Sequence, residues 1–231
     1  MAMDKTLIDM PLADGEPPID CRLCPRLAAF RDELRAEHPD WWNAPVPAFG
    51  DPAAWLGIVG LAPGKHGANR TGRPFTGDYA GDLLFATLDK MGLSRGQYDA
   101  RIDDSLTLDG VIIINAVKCL PPQNKPTAAE INECRTFLSR QETMLPRARI
   151  FIALGKIAHD SFVRHAGGRL AAYPFGHDRQ HRLPDGRILI DSYHCSRYNT
   201  NTGRLTAAMF EAVFERALSL RDGRDATQET D

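Results

Sequence analysis

VIIINAV, residues 111 to 117, is the stretch on which the fold turns. Its apolar run is short and rich in β-branched residues and does not alternate, which is how a strand buried on both faces of a sheet reads. It ends abruptly in KCLPPQNKPT (118 to 127), a polar, proline-rich loop. Three other segments share the design: WLGIVG (55 to 60), RIFIALG (149 to 155) and RILIDSY (187 to 193). Stretches of helical spacing separate them. Leu83, Leu84, Leu88 and Met91 follow the first strand; Ile131, Cys134, Phe137, Leu138 and Leu145 the second; Ile157, Phe162 and Val163 the third. After the fourth comes a stripe of Leu205, Met209, Phe210, Val213, Phe214 and Ala217, and a further helix from about Arg22 to Glu37 precedes the whole set. This alternation predicts an α/β protein, a three-layer α/β/α sandwich around a four-stranded parallel sheet. In such sheets ligands gather beyond the carboxyl ends of the strands.

The 231 residues, 43% hydrophobic and 25% charged, suit one domain over 20–220. Residues 1–19, which mix Pro, Gly and Asp without periodicity, and the acidic tail 221–231 are expected to be loose. Lys and Arg total 28 against 30 for Asp and Glu, so the net charge of -2 advertises no polyanion partner. The tail accounts for that excess, with two basic and four acidic residues, leaving a nearly neutral body. No apolar run approaches the ~20 residues of a membrane span, and the acidic N-terminus has no signal-peptide layout, so a cytoplasmic monomer is expected.

All four predicted strands run into polar loops. The first, GLAPGKHGANRTGRPFTGD (60 to 78), is glycine-rich and suited to close backbone approach to a ligand. It is not a triphosphate loop: only three residues separate Gly60 from Gly64, and His66 follows Lys65 where Ser or Thr is required. Lys65, Arg70 and Arg73 on this loop, with Arg197 and Arg204 on the last one, put five basic residues on one predicted rim. Among the cysteines, Cys21 and Cys24 form C-x2-C, Cys119 lies just past the second strand, and Cys134 lies on the helix after it. Four thiolates suit either tetrahedral zinc or a 4Fe-4S cluster, and spacing does not separate the two. His194 directly follows the fourth strand, a position that favours facing a ligand. Cys195 beside it does not form a Cys-His nucleophile, because neighbours on an extended backbone point to opposite sides.

Four motifs, CRLCPRL, GLAPGKHGANRTGRPFTGD, NAVKCLPPQNKPT and SYHCSRYNTNTGRLT, make the sequence resemble the iron-sulfur uracil-DNA glycosylases, most closely the type-5 branch, from Cys21 to about Leu220. The resemblance implies a uracil-DNA glycosylase-like fold and a 4Fe-4S cluster on Cys21, Cys24, Cys119 and Cys134, with a structural role. It implies a substrate of uracil-containing DNA, with deaminated purines such as hypoxanthine accepted as well. The damaged base is then expected to be flipped into a pocket, to stack on Phe75, to meet backbone amides around Ala62, Gly64 and Lys65, and to bond to Asn115. By the same resemblance His194 is expected to stabilise the charge on the departing base, Asp78 to orient or deprotonate the attacking water, and Asn124 to help to hold it. Asp78 also suits the N-cap of a helix over 80–92. Arg70, Arg73, Arg197, Tyr198 and Arg204 are expected to contact the DNA.

Departures from the family pattern are Cys195, where relatives carry Pro or Val, and Asn115, a polar residue expected of type-4 rather than type-5 relatives. A basic insertion with a covalent histidine, found in DNA-crosslinking relatives, does not follow GRPFTGD, so a turnover enzyme is expected. The competing reading is a non-enzymatic iron-sulfur protein that binds DNA or senses redox state.

Overall fold

A computed structural model describes residues 13–223. After a 3-10 turn at Ala13–Gly15 come α1 (Pro25–Glu37), β1 (Phe49–Gly50), β2 (Leu56–Gly60), α2 (Ala68–Thr71), α3 (Tyr79–Lys90), β3 (Ser94–Arg95), β4 (Thr107–Leu108) and β5 (Val111–Asn115). They are followed by α4 (Ala128–Thr143), β6 (Ile150–Leu154), α5 (Lys156–His165), β7 (Gln180–Arg182), β8 (Ile188–Ser192), α6 (Arg197–Asn201) and α7 (Ala207–Arg221).

The four strands read from the sequence are β2, β5, β6 and β8. They pair in parallel in the order β5-β2-β6-β8. The register sets Ile113, Ile58, Ile152 and Ile190 in one row across the sheet. That row faces a core closed by Leu84, Leu88, Phe210 and Phe214 of α3 and α7. The alternate row carries Ile112, Phe151 and Leu189 into a second core with Leu138, Phe162 and Val163 of α4 and α5. Gly57 fills the remaining place in this row, because a Cβ there would lie 2.3 Å from the Phe151 ring. With both faces covered, the strands need no polar alternation, which is why they read as continuous apolar runs.

Two antiparallel edge strands extend the expected four to six: β1 against β5 and β7 against β8. At two and three residues they are too short for a sequence period to reveal. Helix α1 starts at Pro25 rather than Arg22, with Cys24 at its N-cap and proline suited to the first helical position.

The expectation that residues 1–19 are loose fails from residue 13 onward. Gly15 and Pro17 are buried, and Glu16 accepts a 2.6 Å hydrogen bond from the Ala48 amide. Residues 1–12 and 224–231 lie outside the described residues, and among those described, no helix is long and apolar enough to cross a membrane.

Candidate active site and cysteine chamber

A cavity of about 350 Å³ opens at the carboxyl ends of the strands, where the topology predicts a ligand. Leu61, Ala62 and Gly64 reach it from the loop after β2, Asn115 from the end of β5, and His194 and Ser196 from beyond β8. Phe75, Asp78, Tyr79 and Ala80 reach it from the far end of the glycine-rich loop and the start of α3, and Asn124 from the turn before α4. The sequence therefore brings together Ala62, Gly64, Phe75, Asp78, Asn115, Asn124 and His194. The remaining base-binding candidate, Lys65, does not line the cavity; its ammonium lies 3.8 Å from Glu37.

Asp78 is the N-cap of α3, and its Oδ1 accepts from the Gly81 amide at 3.2 Å. Its other oxygen, Oδ2, presses against the glycine-rich loop: a Cβ on Gly67 would lie 2.3 Å from it, and one on Gly64 3.2 Å. Those two glycines are needed to admit the carboxylate. Burial raises the Asp78 pKa, the amides of Gly81 and Ala80 oppose the rise, and the nearby charge of Asp82 adds to it. The result is a carboxyl group held above its usual range.

His194 is partly open to the cavity but ringed by protein, and that desolvation lowers its pKa to about 4. It is thus a neutral imidazole at pH 7, a hydrogen-bonding group and not a cation. Its ring stands nearly parallel to Phe75, with centroids 6.0 Å apart. Phe75 takes a φ of +54°, costly for an aromatic residue and a mark of a constrained site. The side chain of Asn115 and the Phe75 ring crowd Gly60, where a Cβ would lie 2.4 Å from Asn115 Oδ1. Asn124 and Gln123 also have positive φ, near 56°, in the turn that carries Asn124 into the cavity wall.

Among the residues that escaped the sequence reading are two tyrosines. Tyr98, on the excursion between β3 and β4, accepts from the Gly77 amide and donates to the Phe75 carbonyl, both at 3.2 Å, bracing the loop that bears Phe75 and Asp78. Tyr79 forms cavity wall and lies beneath the Arg197 guanidinium, 5.2 Å from its ring centre. No local signal marks either residue, since each acts through a segment distant in the chain.

Of the five expected DNA contacts, Arg70, Arg197, Tyr198 and Arg204 are exposed, Tyr198 at 73%. Arg204 lies over the ring of Tyr193, 4.4 Å from its centre. Arg73 must be corrected: it is buried, bonds Asp104 through both terminal nitrogens at 2.7 and 2.6 Å, and donates to Thr76 Oγ1 at 2.7 Å. A guanidinium so paired cannot reach a phosphate. Its partner lies 31 residues on, so spacing could not expose the pair. Cys195 is fully buried, its Sγ 3.4 Å from the Ala80 carbonyl, as a packed residue and not a nucleophile.

Cys21, Cys24, Cys119 and Cys134 line one chamber on the side of α1, with Leu27, Phe137 and Lys118. Burial first, and then Cys134, pushes the Cys119 thiol up to about 12. Within the hydrogen-bonded pair Cys24 and Cys134, Cys24 holds the proton, which raises it and lowers Cys134 to about 7. Arg31 places Nη1 3.9 Å from Cys119 Sγ, while its buried Nε has no partner among the described residues.

Comparison with known proteins gives one consistent result. A family model described as the uracil DNA glycosylase superfamily matches residues 47–218. A type-5 uracil-DNA glycosylase of Thermus thermophilus is 47% identical over 205 residues, covering 87% of this chain and 93% of its own. One from Pyrobaculum aerophilum is 40% identical over 86% of this chain and 88% of its own. A type-4 uracil-DNA glycosylase of Sulfurisphaera tokodaii is 29% identical over 88% and 83%.

Proposed function

This chain belongs to the uracil-DNA glycosylase superfamily, in its type-5 branch, and on that footing we propose that it removes uracil, and other deaminated bases such as hypoxanthine, from DNA. The observation that carries the reading is the convergence of Phe75, Asp78, Asn115 and His194 on one cavity of a size to hold a single flipped base.

A glycosidic bond inside a duplex is out of reach, so the nucleotide must leave the stack at a cost of a few kcal/mol. Arg70, Arg197 and Arg204 grip phosphates around the cavity mouth, and the exposed ring of Tyr198 fills the vacated step. Inside, the base stacks on Phe75, and Asn115 bonds its polar edge. As the bond from C1′ to the base breaks, the electron pair passes to the base, and the sugar becomes cationic. Neutral His194 donates a hydrogen bond to the base oxygen where that charge collects, help that is strongest in the transition state. The Asp78 carboxylate, in contact with the cavity and ionised above its raised pKa, favours the cationic sugar. It takes the proton of the water that attacks C1′, with Asn124 holding that water. Products are the free base and an abasic site.

The cysteine chamber is read as the seat of a 4Fe-4S cluster on Cys21, Cys24, Cys119 and Cys134. Four thiols in one chamber supply its full ligand set, and the unpartnered Arg31 Nε supplies positive polarity for an anionic centre. A single zinc ion draws its sulfurs in with bonds of about 2.3 Å, yet among the described residues no three of these sulfurs lie within 4.8 Å of one another. A cluster held by these four cysteines would join α1, the segment after β5 and α4, the elements that carry them. Its role would be structural, with bond cleavage left to the cavity residues.

The test is incubation with an oligonucleotide containing one uracil, alkaline cleavage of abasic sites, and comparison with Asp78→Ala and His194→Ala. Each substitution is expected to lower cleavage by about 10² or more. Cleavage undiminished in both variants refutes the site; no cleavage of uracil or hypoxanthine by the native protein favours a DNA-binding protein without activity.

A further inference from the structure

Part of the wall of the cysteine chamber comes from outside the ligand motif: Pro17 lines it. The residues just before Pro17 are attached to the rest of the protein through buried polar groups. Gly15 lies so close to α4 that a Cβ would sit 2.9 Å from Gln141 Cγ. The Glu16 side chain is 4% exposed; its Oε1 accepts from the Ala48 amide at 2.6 Å and from Gln141 Nε2. Lys118 next to Cys119, its side chain 1% exposed, donates to Gln141 Oε1 at 2.6 Å and places Nζ 3.7 Å from Glu16 Oε2. Among the described residues that oxygen has no hydrogen-bond partner. Pro17, the next residue, lines the chamber beside the thiols.

Burying a carboxylate and an ammonium with incomplete hydrogen bonding is costly, and apolar residues of the same volume are often at least as stabilising. None of these groups lines the cavity at the strand ends, so excision of a base gives them no task. What the pair does accomplish is to fasten residues 13–17 to α4 and to the segment after β5. Solvent access around a metal site is governed by its surrounding shell.

We propose that Glu16 is a positioning residue whose buried contacts with Lys118, Gln141 and Ala48 hold residues 13–17 as a cover over the cysteine chamber, limiting access of water and solutes to what the thiols hold. The inference rests on the iron-sulfur reading for the occupant, though not for the cover itself.

Native protein, Glu16→Ala, Gly15→Leu and Asp14→Asn are purified and assayed for iron. Loss of visible absorbance to excess EDTA is then followed under argon, and alkylation of Cys119 and Cys134 by iodoacetamide is followed by peptide mass spectrometry. Breaking hydrogen bonds to a charged group is expected to speed iron release about tenfold or more in Glu16→Ala. Gly15→Leu, which pries the cover off without changing charge, gives the same result. Asp14→Asn, which removes one exposed negative charge from the same segment, matches the native rate. Native rates of release and alkylation in both Glu16→Ala and Gly15→Leu overturn the inference. Iron-free native protein whose two cysteines alkylate faster in the variants refutes the cluster reading but supports the cover; iron-free protein with equal alkylation refutes both.

Discussion

Replacing Arg73 with methionine separates two roles that its place in a basic, glycine-rich loop confounds. In the folded protein its guanidinium makes two hydrogen bonds to Asp104, whose side chain is fully buried, one to Thr76, and stacks over Phe49 at 4.9 Å. Methionine fills much of the volume but leaves the Asp104 carboxylate with only the amides of Asp99 and Leu106, at 3.0 and 3.2 Å. Breaking a buried pair from one side costs about 3–5 kcal/mol, because an uncompensated charge stays behind. For a domain of this size that is a fall in Tm of about 6–20 °C. The pH dependence has a definite sign. Burial would raise Asp104, but the Arg73 bonds and the Asp99 amide outweigh it and hold the carboxyl below its usual range. The pair therefore stabilises the native protein above the unfolded carboxylate pKa, and the contribution disappears as pH falls through the lowered one. The deficit of Arg73→Met should accordingly be largest near neutrality and shrink as pH falls below the ordinary carboxylate range and through the lowered pKa of Asp104. Urea and thermal denaturation across that range measure it, and Arg73→Met with Asp104→Leu should recover most of the loss. If Arg73→Met is instead within 1 kcal/mol of native, and the salt dependence of DNA binding loses about one unit of slope, Arg73 is a phosphate contact and the packing argument is wrong.

Three other outcomes follow from the site. Because burial lifts Asp78 and drops His194 to about 4, the acid limb of the excision rate is expected to follow one group titrating above the ordinary carboxylate range, with no limb near 6.5; a histidine-like limb in kcat/KM that His194→Gln abolishes contradicts the assignment. Asn115→Ala removes a side chain that offers both donor and acceptor to a pyrimidine edge, so uracil excision should fall by about tenfold or more and hypoxanthine excision by less, and equal losses in single-turnover assays refute a role in discrimination. Tyr198→Ala, at a ring 73% exposed, should leave the unfolding free energy within about 0.5 kcal/mol of native while weakening excision from paired DNA more than from single strands; equal effects on both substrates remove Tyr198 from the flipping step.

By itself the sequence determined the parallel core, because a strand covered on both faces must be apolar at every position, and a run such as VIIINAV has few other solutions. It determined the rim as well: Asp78, Asn115 and His194 follow or cap elements whose ends could be read, and each lines the cavity. What it could not decide were matters of contact between distant segments. Arg73 and Lys65 sit on the same loop with the same charge, yet one is buried on Asp104 and the other stands near Glu37. Residues 13–17 have the composition of a loose end, but one carboxylate meets Lys118, Gln141 and Ala48 from elsewhere in the chain and draws them in. Local patterns report the period with which a segment faces its neighbours, whereas the fate of a single charge depends on which partner the fold delivers within hydrogen-bond range, and only the tertiary structure makes that choice.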